Sequence, residues 1–127
     1  AVALRAQQLM QERDIIGHVR RVAPQLKSRI ERLARFDFIG HLRVIGLIGA
    51  MEFVANSQTG EKFDPAQKIA AQAVAIIQRH GVILRALPGD IIGFCPPLII
   101  TAAEIDDMFD RIESGLDEFS ALAAKLR

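Results

Sequence analysis

Apolar residues recur every three or four positions through Ile16, Val19, Val22, Leu26, Ile30 and Leu33, so they line one face of a helix. A break near Glu12-Arg13-Asp14 separates this helix from an opening helical stretch. Arg20, Arg21, Lys27, Arg29, Arg32 and Arg35 fall mostly off the apolar face and read as a solvated basic side. Pro24 lacks one backbone donor, which is compatible with a bend or with a division of the helix there.

The pattern changes in HLRVIGLIGAMEFV, residues 41–54. This stretch is β-branched, carries Gly46 and Gly49, has no helical stripe, and predicts one buried strand. The two glycines mark a bulge or the close approach of another backbone. Residues 56–62 are polar and turn-rich, a surface loop. A helix starts next, with Asp64 as cap, Pro65 at its first position, and Gln67 placed to reach back. Ile69, Ala73, Ile76 and Ile77 form its apolar side, and Gly81 suits the left-handed stop. Val82-Ile83-Leu84 and Ile91-Ile92-Gly93-Phe94 predict two short strands joined by a type II turn at Leu87-Pro88-Gly89-Asp90. Thr101 and Glu104 form a capping box that opens a last helix with the stripe Ile105, Met108, Phe109, Ile112, Leu116, Phe119. The order α-β-α-β-β-α predicts an α+β fold. It has a small antiparallel or mixed sheet of about three strands with helices on one face.

Composition narrows the function classes. A chain of 127 residues, half of them apolar, suits one domain over residues 1–127 with a real core. The net charge of +1, with scattered basic residues, leaves no electrostatic footprint for nucleic acid or an anionic membrane. No apolar run reaches the roughly 18–20 residues that span a bilayer. The single Cys95 has no internal disulfide partner, which favours a reducing, cytoplasmic setting. The opening AVALRAQQLM has neither an initiator Met nor a signal pattern and reads as a helix already under way, the expectation for a piece of a longer chain.

Candidate chemistry is sparse. His18, His41 and His80 have no metal-ligand spacing. Cys95, among apolar residues before Pro96-Pro97, reads as a buried small hydrophobe. The glycines make no phosphate loop. Asp106, Asp107, Asp110 and Glu113 read as the solvated outer face of the last helix. Arg85, between an apolar run and the Pro-Gly turn, keeps two readings. It is a strand-end arginine facing water, or a guanidinium offered on a mobile hairpin to grip a carboxylate at two points.

A resemblance adds to this. Gly81-Val82-Ile83-Leu84-Arg85, then Pro88-Gly89-Asp90, then Pro96-Pro97-Leu98-Ile99-Ile100-Thr101 resemble the C-terminal "GVxxR…GD…PPLxIT" block of class III aminotransferases. Residues 42–52, LRVIGLIGAME, are similar to the family's "VRGxGLMxAxE" strand, with Val44 in place of the usual glycine. The resemblance covers essentially the whole chain, in order. It implies the C-terminal small domain of a fold-type I enzyme, working as a homodimer on small-molecule amines and oxoacids. Pyridoxal phosphate would then sit on a lysine of a large domain that these residues do not include. None of Lys27, Lys62, Lys68 and Lys125 matches that lysine's context, so this piece alone is expected to bind no cofactor and to be inactive. In the ornithine branch an arginine stands where this sequence has Gly93. In the ω-amino acid–pyruvate branch a mobile arginine stands where this sequence has Arg85, and this implies that Arg85 binds the substrate carboxylate. A decarboxylase, racemase or aminomutase of the same family, and a stand-alone binding or regulatory module, are the rival readings.

Overall fold

A computed structural model of the chain describes residues 2–127. Helix α1 (Val2–Glu12) is followed by α2 (Ile15–Arg32), and Asp14 separates them with a left-handed φ of 45° while its carboxylate accepts from the Gly17 amide. Strands β1 (Ile39–Ile45) and β2 (Ile48–Phe53) come next, then α3 (Ile69–Arg79), β3 (Arg85–Leu87), β4 (Ile91–Phe94) and the long α4 (Ala102–Leu126). Short 3-10 turns lie at Leu33–Arg35 and Pro65–Gln67. The expected α+β fold is present, but the sheet has four strands, all antiparallel, in the order β1-β2-β4-β3.

The extra strand comes from the segment read as one. Residues 41–54 fold back on themselves as the β1–β2 hairpin, with Ile45 opposite Ile48. Gly46 makes the turn with φ 56°, so it is neither a bulge nor a close approach. Gly49 does mark a close approach, but of a side chain and not of a backbone: a Cβ there would lie 2.4 Å from Ile30 Cδ1 of α2. Two further expectations shift along the chain. Residues 82–84 are coil and the strand begins at Arg85. Asp64 caps only the 3-10 turn, by accepting from the Ala66 amide, Lys68 turns left-handed, and α3 starts at Ile69. Gln67 does not reach back; its amide donates to the Leu126 carbonyl. Pro24 lies within α2, which runs on through it.

Alternation sets the two faces of the sheet. Gly49, Met51, Phe53, Ile92 and Phe94 point inward, where Leu26, Ile30, Ile77, Phe109, Ile112, Leu116 and Phe119 close the core. Phe38 and Phe53 both meet Phe119 edge-on, at 5.4 and 5.6 Å between ring centroids. The opposite face carries Arg43, Ile48 and Arg85, all exposed. The helical stripe holds from Val22 onward, but Ile16 is 60% exposed. The basic side of α2 and the acidic side of α4 are solvated as expected except at one buried residue each. Arg29 and Glu113 are each 7% exposed, and Arg29 bonds Asp106, Asp110 and Glu113 across the two helices.

Candidate functional site

Arg85 opens β3, the edge strand of the sheet, and stands opposite Gly93 of β4. Its guanidinium is exposed and makes no hydrogen bond or ion pair among the described residues. The β3–β4 turn holds it there. Gly89 has φ 82°, as the Pro-Gly pair requires, and Asp90 continues left-handed with φ 54°. Asp90 does two jobs that its sequence neighbours do not show. Its carboxylate accepts from the Ala70 amide at 3.0 Å and so satisfies an orphan donor at the start of α3, while its carbonyl accepts from the Phe53 amide at 2.9 Å. The hairpin that carries Arg85 is thereby tied to a helix and to the central strand.

In front of Arg85 lies a groove of 370 Å³, lined also by Gly93, Cys95, Pro97, Ile100 and Met108. Its walls are apolar and its one free charge is the guanidinium, the arrangement a small carboxylate with an apolar tail would use. Gly93 leaves this outward position of the groove without a side chain, and a Cβ there would lie 3.3 Å from Leu87 Cδ1 of β3. Cys95 is exposed in the groove, against the expectation of burial: it lies one residue beyond β4, on the outer face, where the core does not reach.

Register places a second arginine in the same row. Arg43 is opposite Ala50, Ala50 opposite Gly93, and Gly93 opposite Arg85. Three strand spacings separate the two arginines, on the order of ~14 Å. Two residues along β2 from Ala50, on the same face, Glu52 is ion-paired and hydrogen-bonded with Lys62. That hydrogen bond holds the Glu52 carboxyl below its usual range against the opposing effect of burial, with a smaller contribution from the Lys62, His41 and Arg43 charges.

The remaining candidates are not drawn into the groove. His18 Nε2 donates to the Ile100 carbonyl at 2.8 Å, behind the groove wall, and His80 Nε2 meets Glu118 at 2.8 Å on the far side. His41 is exposed on β1. No group of three or more metal-ligating side chains forms among the described residues. No helix among them is long and apolar enough to cross a membrane. Lys27, Lys62, Lys68 and Lys125 are all exposed, with Lys27 paired to Glu31 and Lys62 to Glu52. None of them stands in the desolvated pocket that a Schiff-base lysine uses.

The sequence profile of the family described as Aminotransferase class-III matches residues 1–116. The chain belongs to that family. It is 34% identical over 110 residues to an uncharacterised aminotransferase of Sinorhizobium fredii, covering 85% of this chain and 24% of that protein. It is 32% identical to gamma aminobutyrate transaminase 1 of Solanum lycopersicum, over 100% of this chain and 24% of the relative. Among solved structures, the PMP-bound form of an aminotransferase from Vibrio fluvialis superposes with a TM-score of 0.88 at 32% identity, covering 94% of this chain and 26% of that one. The chain thus spans about a quarter of the length of the relatives it matches.

Proposed function

We propose that residues 1–127 are the C-terminal small domain of a longer pyridoxal-phosphate-dependent aminotransferase of the ω-amino acid–pyruvate type, and that Arg85 grips the carboxylate of the acceptor. The observation that carries this reading is the unpartnered Arg85 on an edge hairpin, opposite Gly93, which brings no side chain to the groove. Arg13, Arg20 and Arg43 are also exposed without a partner among the described residues, so what sets Arg85 apart is the apolar groove in front of it. A planar fork with free donors at the mouth of an apolar groove suits two-point recognition of a carboxylate. Because β3 is short and on the edge, the arginine can swing aside when an uncharged amine enters.

The cofactor carries the electron-sink chemistry in such enzymes, and the residues here do not hold it. Their work is to bind and orient the substrate. Arg85 fixes the carboxylate end, the groove wall excludes water from the apolar end, and Asp90 sets the hairpin against α3. Dimerisation and contact with the large domain complete the reading.

The test is half-reaction kinetics on the full-length enzyme. Arg85→Ala is expected to cost about 2–4 kcal/mol on a pyruvate-like acceptor, or roughly 30- to 1000-fold in kcat/KM, and far less on an uncharged amine. Arg85→Lys should recover part of the loss, since an ammonium cannot reproduce the fork. Equal effects on both substrates would make Arg85 a structural residue and remove the argument for this branch.

A further inference from the structure

We propose that His18 and Gln25 of α2 are positioning residues for the acceptor pocket, acting through the segment that walls the Arg85 groove. The proposal rests on Arg85 as the carboxylate-binding group. Residues 95–101 belong to no strand or helix, and Pro96 and Pro97 have no N–H to offer a ladder. Yet Pro96, Pro97 and Ile100 form one side of the groove. What fixes them comes from a helix about eighty residues earlier in the chain. His18 Nε2 donates to the Ile100 carbonyl at 2.8 Å, and Gln25 Nε2 donates to the Ala102 carbonyl at 2.9 Å.

The two donors are seven residues apart, two helical turns, so they project from one side of α2. That helix is itself held by Leu26 and Ile30, both fully buried. A rigid helix therefore grips the exit of β4 at two points, on either side of Thr101. The start of α4 does not need them, because Thr101 and Glu104 already satisfy its capping box. Ile100 is anchored by burial, and its amide turns back onto the Pro97 carbonyl at 3.0 Å. The α2 donors add the direction of the segment, and hence how far the proline wall stands from Arg85. Such a wall sets how well the apolar end of a small oxoacid is contacted once its carboxylate is held.

The experiment uses the full-length holoenzyme with His18→Phe, which keeps a ring without the donor, His18→Gln, which returns an amide nitrogen near the same place, and Gln25→Met. His18→Phe and Gln25→Met are expected to lower kcat/KM for pyruvate about three- to tenfold, chiefly through KM, the factor that one ordinary hydrogen bond is worth. The kcat with an uncharged amine should stay within about twofold, and His18→Gln should restore the pyruvate KM. Amide exchange of residues 98–102, followed by mass spectrometry, should quicken in the first two variants and return in the third. Losses shared equally by both half-reactions, or faster exchange with an unchanged pyruvate KM, would overturn the proposal. If His18→Phe does not fold, Gln25→Met, whose bond lies at the surface, decides alone. Arg85→Ala measured in parallel separates the two claims. Should it show no acceptor preference, the carboxylate reading falls and takes this one with it. Should it show the preference while the α2 variants do not, only the positioning role falls.

Discussion

At Asp90 a single side chain carries more than its place in a turn suggests. It holds a φ of 54°, which costs most residues strain and aspartate less, and its carboxylate caps α3 from across the sheet. Asp90→Ala is therefore expected to lose about 1–2 kcal/mol for the cap plus a smaller strain cost. Asp90→Gly removes the cap but not the conformation, and Asp90→Asn keeps an acceptor oxygen. Urea melts should rank the variants with Ala least stable, Gly between, and Asn nearest the parent. A Gly variant as stable as the parent would show that the cap contributes nothing. The turn itself was legible from Pro88-Gly89, because positive φ has a sequence signature. The cap was not, since its donor and acceptor lie twenty residues apart and meet only when the sheet forms. Cys95 failed for a related reason. Apolar neighbours suggested burial, but strand parity puts Cys95 on the outer face with Gly93, and parity needs the register. Arg85 was legible as a candidate from the residues and their resemblance. Its freedom from any partner was not.

Elements show where periodicity suffices and where it does not. The stripes of α2 and α4 named the core correctly at Leu26, Ile30, Ile105, Phe109, Ile112, Leu116 and Phe119. A stripe says nothing of what its flanks meet, and here the flanks of two helices meet each other. Arg29 lies over the Phe109 ring at 5.7 Å and bonds Asp106 at 3.3 Å and Glu113 at 2.9 Å, and also Asp110. Burial opposes its charge, but the Asp110 hydrogen bond and the Glu113 and Asp110 charges outweigh that and raise its pKa. Removing one partner of a buried pair costs about 3–5 kcal/mol where nothing else answers the stranded charge. Glu113 keeps Arg35 at 3.2 Å and Arg32 at 3.6 Å, so Arg29→Met should cost less, about 2–3 kcal/mol. Adding Glu113→Leu should return part of that loss, because no buried carboxylate is then left behind. Denaturant melts of the two single variants and the double close the cycle, and strictly additive losses would refute coupling between the helices. The β1–β2 hairpin was hidden for a different reason. Its turn, Ile45-Gly46-Leu47-Ile48, is flanked and filled by apolar residues, so the run reads as continuous until Gly46 turns left-handed.

The whole molecule has one finished side and one unfinished side. Helices α2, α3 and α4 close the inner face of the sheet around an apolar core. The outer face leaves Ile45 80%, Ile48 60% and Ile83 84% exposed, with Leu98 and Ile99 exposed nearby. At the other end of the chain, α1 contributes no buried residue, and Val2 and Leu4 project into solvent. Single exposed apolar residues are ordinary, but this side carries two groups of them, Ile45 and Ile48 on the β1–β2 hairpin and Ile83, Leu98 and Ile99 in the coil that flanks β3 and β4. The relatives are about four times longer than this chain, and on the function proposed above the rest of such a chain covers this side. Taken alone, residues 1–127 are expected to self-associate through this face. Sedimentation should show mass rising with concentration, at the micromolar to millimolar levels where exposed apolar surface drives association. Ile45 and Ile48 sit on the hairpin tip, away from the core, so replacing both with lysine should cost little stability. It should also shift the distribution toward monomer, because the charges cannot be desolvated in a contact. Equivalent substitutions at exposed Ala71 and Ala75 of α3, on the finished side, should leave the association unchanged. A chain that stays monomeric throughout, or that responds equally to both pairs of substitutions, would mean that the open face is not where it seeks a partner.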